Sequence, residues 1–215
     1  AYGEGKIAFN GGYDETVKAF LAEVDFQKVE ICLPSMPDDA VSLNGAVALL
    51  ADVKDDRVDL QAAADAFDLS WRTLKVHKLG FDGSFINGEL DVNHFSALAG
   101  ENGSLILKGT VAADNSLNLS GRMAEFPIDP FLSFAGQEGS GLCSTGFEVT
   151  GTLGAPEFGG IVQVRRINFM KQDVVEAHGH VAMKDNVLTV TNFIANMKQG
   201  QHILNGTVNL QTNEP

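Results

Sequence analysis

His178 and His180 stand two residues apart, with Glu176 two residues before them. On a strand that spacing puts all three side chains on one face, where two imidazoles and a carboxylate could hold zinc. Such a pair is more often simply solvated, and no third His or Cys ligand lies nearby. His77, His94 and His202 are isolated. Asp52, Asp55, Asp56 and Asp59 form an acidic turn without calcium-loop spacing, which reads as a solvated hairpin tip; Asp38-Asp39 reads the same way. Cys32 and Cys143 lie far apart, with no CxxC or Cys/His pattern around either. They read as two buried or half-buried thiols, and a single disulfide between them stays open at this stage. Gly139-Ser140-Gly141 lacks the outer spacing of a nucleophile elbow, and Gly5-Lys6-Ile7 is the nearest approach to a phosphate loop. Arg165-Arg166 is the lone basic pair, and Trp71 reads as core or groove lining. No catalytic constellation, metal site or cofactor motif emerges, so the expectation is a protein that is not an enzyme and carries no cofactor.

The 215 residues are 44% hydrophobic and 20% charged, the composition of a folded chain. Lys plus Arg number 15 against 28 Asp plus Glu, a net charge of −13. That argues against nucleic acid and against an anionic membrane surface, both of which need a basic stripe. No apolar run approaches the roughly 18 residues of a membrane-spanning helix. The longest, Ala46 to Ala51, has six. No basic stretch followed by an apolar run opens the sequence. Ala1–Gly5 leads directly into a strand pattern, and Gln211–Pro215 trails off another. The expectation is a segment of a longer chain, residues 1–215 forming one continuous piece with a subdivision near 125–146.

Glycine is the compositional oddity. Ten of the 23 glycines sit between apolar residues two positions away on either side, as in Leu107-x-Gly109-x-Val111 and Leu204-x-Gly206-x-Val208. A shuffle of this composition gives about 4.5. Residues i, i+2 and i+4 of a strand share a face. Leu105, Leu107, Gly109 and Val111 therefore face one way and Lys108 and Thr110 the other. After a turn at Ala113–Ser116, Leu117, Leu119, Gly121 and Met123 repeat the pattern, as do Ile86-Gly88-Leu90-Val92, Phe147-Val149-Gly151-Leu153 and Leu204-Gly206-Val208-Leu210. Glycine weakens a strand, so its recurrence on the apolar face implies a bulge, a bend, or room for a ligand or another backbone.

The elements implied are almost all strands: Lys6–Asn10, Thr16–Phe26, Val41–Val53, Arg57–Phe67, Asp68–Leu79, Gly83–Asn93, Ser104–Ala113 and Ser116–Met123. After a break come Ser144–Leu153, Gly160–Asn168, Asp173–Met183, Val187–Met197 and Gln201–Gln211. Polar or Gly-rich turns at Gly11-Gly12, Lys54–Asp56, Lys184–Asn186 and Lys198–Gly200 make this an antiparallel meander. Asp14–Val24 also fits helical spacing and is assigned as strand. Asp129–Gly136 reads as a short helix, with an N-capping Asp, Pro at the first helical position and a closing Gly, packing Phe131, Leu132 and Phe134 over a sheet end. Asn93–Leu98 reads as a comparable turn, and Asp25–Leu33 as coil.

Phe147–Val162, read as strand, Gly151-Thr152-Leu153, Pro156, Gly160 and strand, resembles the repeating unit of TamB-like proteins. Leu188–Leu210, with Lys198-Gln199-Gly200 and Gly206-Thr207-Val208, resembles it again, and Phe126–Leu132 is similar to the short helical insert of the TamB/AsmA-like superfamily. The resemblance implies an all-β fold, an antiparallel meander curled into an open, elongated β-groove with one or two short helical inserts. It implies an internal segment of a periplasmic protein anchored in the inner membrane, conducting phospholipid between the two membranes and aiding outer-membrane protein assembly. The implied partners are phospholipid acyl chains, flanking groove segments of the parent chain and, through regions outside this sequence, an outer-membrane barrel. The groove would be lined by Leu43, Val47, Ile86, Leu90, Leu105, Leu107, Val111, Leu117, Leu119, Met123, Val149, Leu153, Val181, Leu188, Val190, Leu204, Val208 and Leu210. The alternative is a structural β-sandwich, β-solenoid or adhesin-type domain in which the same residues form a closed core.

Overall fold

Period-two alternation of apolar and polar residues, broken by turn residues, commits nearly the whole chain to strands. The computed structural model describes residues 5–16, 18–33, 36–54, 57–64, 67–134, 138–169, 172–197 and 199–209. The protein is all-β, a 14-stranded antiparallel meander. It divides into two compact units, Ala1–Lys108 and Gly109–Pro215.

The first unit holds β1 (Lys6–Asp14), β2 (Ala19–Leu33), β3 (Met36–Lys54), β4 (Arg57–Ala64), β5 (Phe67–Trp71), β6 (Leu74–Ile86) and β7 (Glu89–Ala99). They pair in the order β1-β2-β3-β4-β6-β7, and β5 pairs with β3 and β6 off that path. The division between units falls inside β8 (Gly103–Val111). The second unit holds β9 (Leu117–Pro127), β10 (Gly139–Thr152), β11 (Ala155–Phe169), β12 (Gln172–Lys184), β13 (Val187–Met197) and β14 (Gly200–Asn209), paired in sequence order. Its one helix among the described residues, α1, spans Asp129–Phe134 between β9 and β10. Asp129 opens it, Pro130 is buried, and the Leu132 N–H donates to the Ile128 carbonyl at 3.0 Å. Leu132 is half-buried. Gly136 and the side chains of Phe131 and Phe134 lie outside the described residues.

Several expected boundaries move, each for a local reason. Gly83–Asn93 is not one strand. Asn87 and Gly88 both take positive φ, 50° and 87°, and turn β6 into β7. Asn-Gly is the preferred pair for a tight hairpin, because both positions of its turn need left-handed backbone. Gly11-Gly12 is no turn but lies inside β1, its partners Ala22 and Leu21 in unbroken register. Asp25–Leu33, expected as coil, belongs to β2, and Asn93–Leu98, expected as a helical turn, belongs to β7. In both, cross-strand pairing overrides weak local signals. Asp38-Asp39, expected at a hairpin tip, lies within β3. The chain turns at Glu15 and Thr16, so β2 starts only at Ala19. Arg57–Leu79 resolves into β4, β5 and the start of β6.

Four residues other than glycine with positive φ, Lys28, Glu125, Arg166 and Asn192, each sit where a pairing register shifts. These are β-bulges, which bend and twist a strand. Among the buried apolar residues of the strands, all but Ala19 stand on one face of their unit's sheet. The two clusters illustrate it: Val29, Leu43 and Ala64 in the first unit, Val174, Ala177 and Ala195 in the second. Each cluster draws on adjacent strands of one sheet, and among the described residues the strand order is open, with no pairing between its first and last strands.

Candidate functional site

Register fixes which side chains share that face, because residues directly opposite one another point the same way. In the first unit one row runs Tyr13, Phe20, Ala51, Leu60, Gly83, Val92 across β1, β2, β3, β4, β6 and β7. The next row runs Gly11, Ala22, Leu49, Ala62, Phe81, Phe95. In the second unit one row runs Leu119, Val149, Phe158, Met183, Leu188, Val208 across all six strands. Beside it lies Gly121, Phe147, Gly160, Val181, Val190, Gly206. Outside the bulges no charged residue stands on either apolar face at a paired position. Polar exceptions in the second unit include Thr145, buried with its hydroxyl donating to the Gly146 carbonyl at 3.1 Å, and His202 on the edge strand.

The face is not fully covered. Phe9 is 61% exposed, Tyr13 62% and Val53 60% in the first unit, and Phe20, Leu49 and Phe85 also stand open. Phe9 and Phe20 stack with ring centroids 6.1 Å apart. In the second unit Leu204 is 52% exposed and Val208 is open as well. Glycines interleave with the aromatic rings: Phe147 lies opposite Gly121 and Gly160 and tilts against Phe158 at 5.6 Å.

Most of the expected lining falls on these faces. Leu43, Val47 and Leu90 do so in the first unit; Leu117, Leu119, Met123, Val149, Val181, Leu188, Val190, Leu204 and Val208 do so in the second. Leu105, Leu107 and Val111 are half-buried on β8, whereas Ile106 and Lys108 are exposed. Two lining assignments change. Ile86 pairs with Glu89 while Leu90 pairs with Phe85, so Ile86 points to the polar face; the Asn87-Gly88 turn between them reverses the parity. Gly88 is therefore a turn glycine rather than a face glycine. Leu153 is an exposed turn residue beyond the end of β10, its N–H donating to the Asn115 carbonyl at 3.0 Å. Leu210 lies outside the described residues. The largest omission from the expected lining is the run Ile7-x-Phe9-x-Gly11-x-Tyr13, whose alternation is visible in the sequence.

The polar faces offer less. His178 and His180 share the exposed face of β12, opposite Gln163 and Ile161 on β11. Glu176 accepts a hydrogen bond from the Gln163 amide. Among the described residues no group of three or more His, Cys, Asp or Glu side chains could hold a metal ion. Asp52 and Asp59 are direct cross-strand partners, and Arg57 pairs with Asp59 at 2.5 Å; Asp55 and Asp56 lie outside the described residues. A shallow depression of about 480 Å³ on the polar face of the first unit is floored by Ala48, Ala63 and Gly80. Asp82 stands at its rim, accepting from the Asn93 amide at 2.8 Å. Trp71 stands on the apolar face opposite Val41 and Leu74, with the Arg72 guanidinium 5.9 Å from its ring centroid. Cys143 is a free thiol on the apolar face, opposite Phe126 and Val164, and burial raises its pKa.

Such a face can hold hydrocarbon without directional contacts. Comparison with protein-family models, curated proteins and solved structures finds no match.

Proposed function

We propose that this chain is a non-enzymatic lipid-binding segment whose apolar sheet faces take up phospholipid acyl chains. One observation carries the reading. Each unit has a sheet face free of charged residues at its paired positions, yet large side chains on that face, Phe9, Tyr13 and Leu204 among them, stay exposed. Leaving apolar surface in water is unfavourable by roughly 25 cal/mol per Å², and an acyl chain in water by roughly 0.8 kcal/mol per CH₂. Contact between the two removes both costs, while the headgroup stays in water. A closed sandwich core would instead cover these positions with a second layer.

The repeat units that resemble TamB-like proteins support a wider reading. The parent protein is periplasmic and anchored in the inner membrane, and it conducts phospholipid between the inner and outer membranes. Flanking groove segments continue the apolar surface, and an outer-membrane barrel is engaged through regions beyond this sequence. The test is native mass spectrometry of the chain purified from a diderm bacterium, together with uptake of a fluorescent phospholipid. Co-purifying phospholipid and saturable uptake are expected. A lipid-free chain that takes up no probe overturns the reading.

A further inference from the structure

We propose that the polar face of the first unit carries a second ligand site, a two-part depression that takes a small amphiphilic amine, its apolar body on an alanine floor and its ammonium on Asp82. The site lies on the opposite face of the sheet from the acyl-chain surface and stands without that reading. Its shape comes from one cross-strand row. Ala48, Ala63 and Gly80 stand side by side on β3, β4 and β6, and side chains this short leave the floor of the depression of about 480 Å³ low. The next row runs Leu21, Leu50, Gln61, Asp82, His94, and its longer side chains form a wall. Ser96 closes the β7 side, its Oγ 2.9 Å from where a Cβ on Gly80 would stand. Alanine and glycine are both depleted in strands, and a strand glycine marks a bulge, a bend or a close approach. Gly80 has neither a positive φ nor a register shift beside it, which points to space kept open above it.

The two parts specify the ligand. At the floor Leu21 is 44% exposed and Ala48 and Ala63 are exposed as well, an apolar patch on an otherwise polar face. Beyond the wall lies a second depression of about 280 Å³, which shares Leu50, Gln61 and Asp82 with the first and reaches Asp52 and Asp59. Asp82 therefore borders both. Its carboxylate accepts from the Asn93 amide at 2.8 Å and from the Gln61 amide at 3.5 Å. Both donors are neutral, so they hold the carboxylate in place without cancelling its charge, and acceptor positions remain on it. The rows on either side of Asp82 hold Glu23, Asp52, Asp59 and Asp91 at paired positions and no lysine or arginine. Arg57 borders the second depression but is bound to Asp59 at 2.5 Å, and Lys78 stands one row beyond the floor. The field of this trough favours a cation. Among the described residues no three Asp, Glu, His or Cys side chains converge as a metal site, so the cation is an organic one that brings its own apolar body. Successive rows lie about 7 Å apart along the strands, so a body of about six carbons reaches from the floor to Asp82. A primary ammonium donates up to three hydrogen bonds, which suits a carboxylate with acceptor positions to spare.

Titration of the whole 215-residue chain with hexylamine at pH 7, followed by methyl and side-chain amide NMR, tests the proposal. Saturable shifts are expected at the Ala48 and Ala63 methyls and the Asn93 amide, with a Kd of about 1 mM. Hexanol keeps the body without the charge, and methylamine keeps the charge without the body. Each should bind about tenfold more weakly than hexylamine or worse. Asp82→Asn keeps the size of the side chain, removes its charge and should weaken hexylamine about tenfold. Ala63→Phe fills the floor at an exposed strand position where an aromatic is favoured, and should abolish the shifts at Ala48 and Asn93. Thermal melts of both variants report whether the sheet is intact. No saturation by about 10 mM hexylamine, equal binding of hexanol, shifts confined to the apolar face, or an affinity unchanged by Asp82→Asn would each overturn the proposal.

Discussion

Gly179 on β12 faces Phe193 on β13 so closely that a Cβ on Gly179 would lie 2.5 Å from the Phe193 Cα and 2.9 Å from its ring. The cause is a bulge. Pairing steps from His178 with Ile194 to His180 with Thr191, and Asn192 takes φ +49° with its N–H donating to the Asn205 side chain at 2.7 Å. The extra residue pushes Phe193 onto the apolar face, and only glycine opposite leaves room for it. Gly179→Ala should destabilise the chain by about 1–3 kcal/mol, because the obstacle is backbone and cannot swing away. Gly146→Ala, where nothing lies within 4 Å, should change stability by less than about 0.5 kcal/mol. Urea midpoints of the two variants check the contrast, and equal midpoints would refute it.

That pair also shows what the sequence makes legible. Alternation alone places Leu119, Val149, Leu188 and Val208 on one face, and the structure puts all four in a single cross-strand row. Alternation counts in steps of two, however, and fails wherever the chain inserts a turn or a bulge. Ile86 and Leu90 keep their spacing of four yet point to opposite faces, since Asn87-Gly88 intervenes. Asn-Gly was the available signal. The bulges at Lys28, Glu125 and Arg166 have none, because Lys, Glu and Arg take left-handed backbone only where tertiary pairing imposes it. Asp129-Pro130 is legible as a helix start because capping is local chemistry.

Exposed and buried positions of the apolar face should respond differently to charge. Leu204→Asp introduces a carboxylate that stays hydrated, so the sheet should fold while uptake of a fluorescent phospholipid falls. Val164, 7% exposed, has no such outlet. Val164→Asp buries an unpaired charge and should cost at least about 3 kcal/mol, unfolding the second unit. Circular dichroism melts read the fold and probe uptake reads the face. Unfolding of both variants would mean that the face is closed around Leu204.

Asp114 caps the turn between β8 and β9. Its carboxylate accepts from the Ser116 hydroxyl at 2.6 Å and from the Ser116 N–H at 2.9 Å, and these bonds hold its pKa below the ordinary Asp value. A depressed carboxylate contributes stability that is complete above the unfolded value, about 3.9, and is lost as pH falls through the folded one. Ser116→Ala removes the hydroxyl donor but keeps the backbone donor. The Asp114 pKa should therefore rise toward the ordinary value without reaching it. Carboxyl-carbon NMR titration measures this directly, and an unmoved Asp114 would show that the hydroxyl bond is absent in solution.

Cys143 reports on the apolar face without any change to it. Burial beside Phe126 and Val164 raises the thiol pKa, so little thiolate exists at neutral pH. The sign of its linkage is opposite to that of Asp114. The contribution is complete below the unfolded thiol value, about 8.5, and drains as pH rises through the folded one. Since the thiolate is the nucleophile, a disulfide reagent at pH 7 should modify the native chain about tenfold or more slowly than the chain in urea. Equal rates in the two states would mean that the thiol stands in water. Bound phospholipid on the same face should slow the native rate further, because acyl chains would cover the approach to Phe126, Cys143 and Val164. A detergent-stripped chain whose labelling rate ignores added phospholipid vesicles would place the lipid elsewhere.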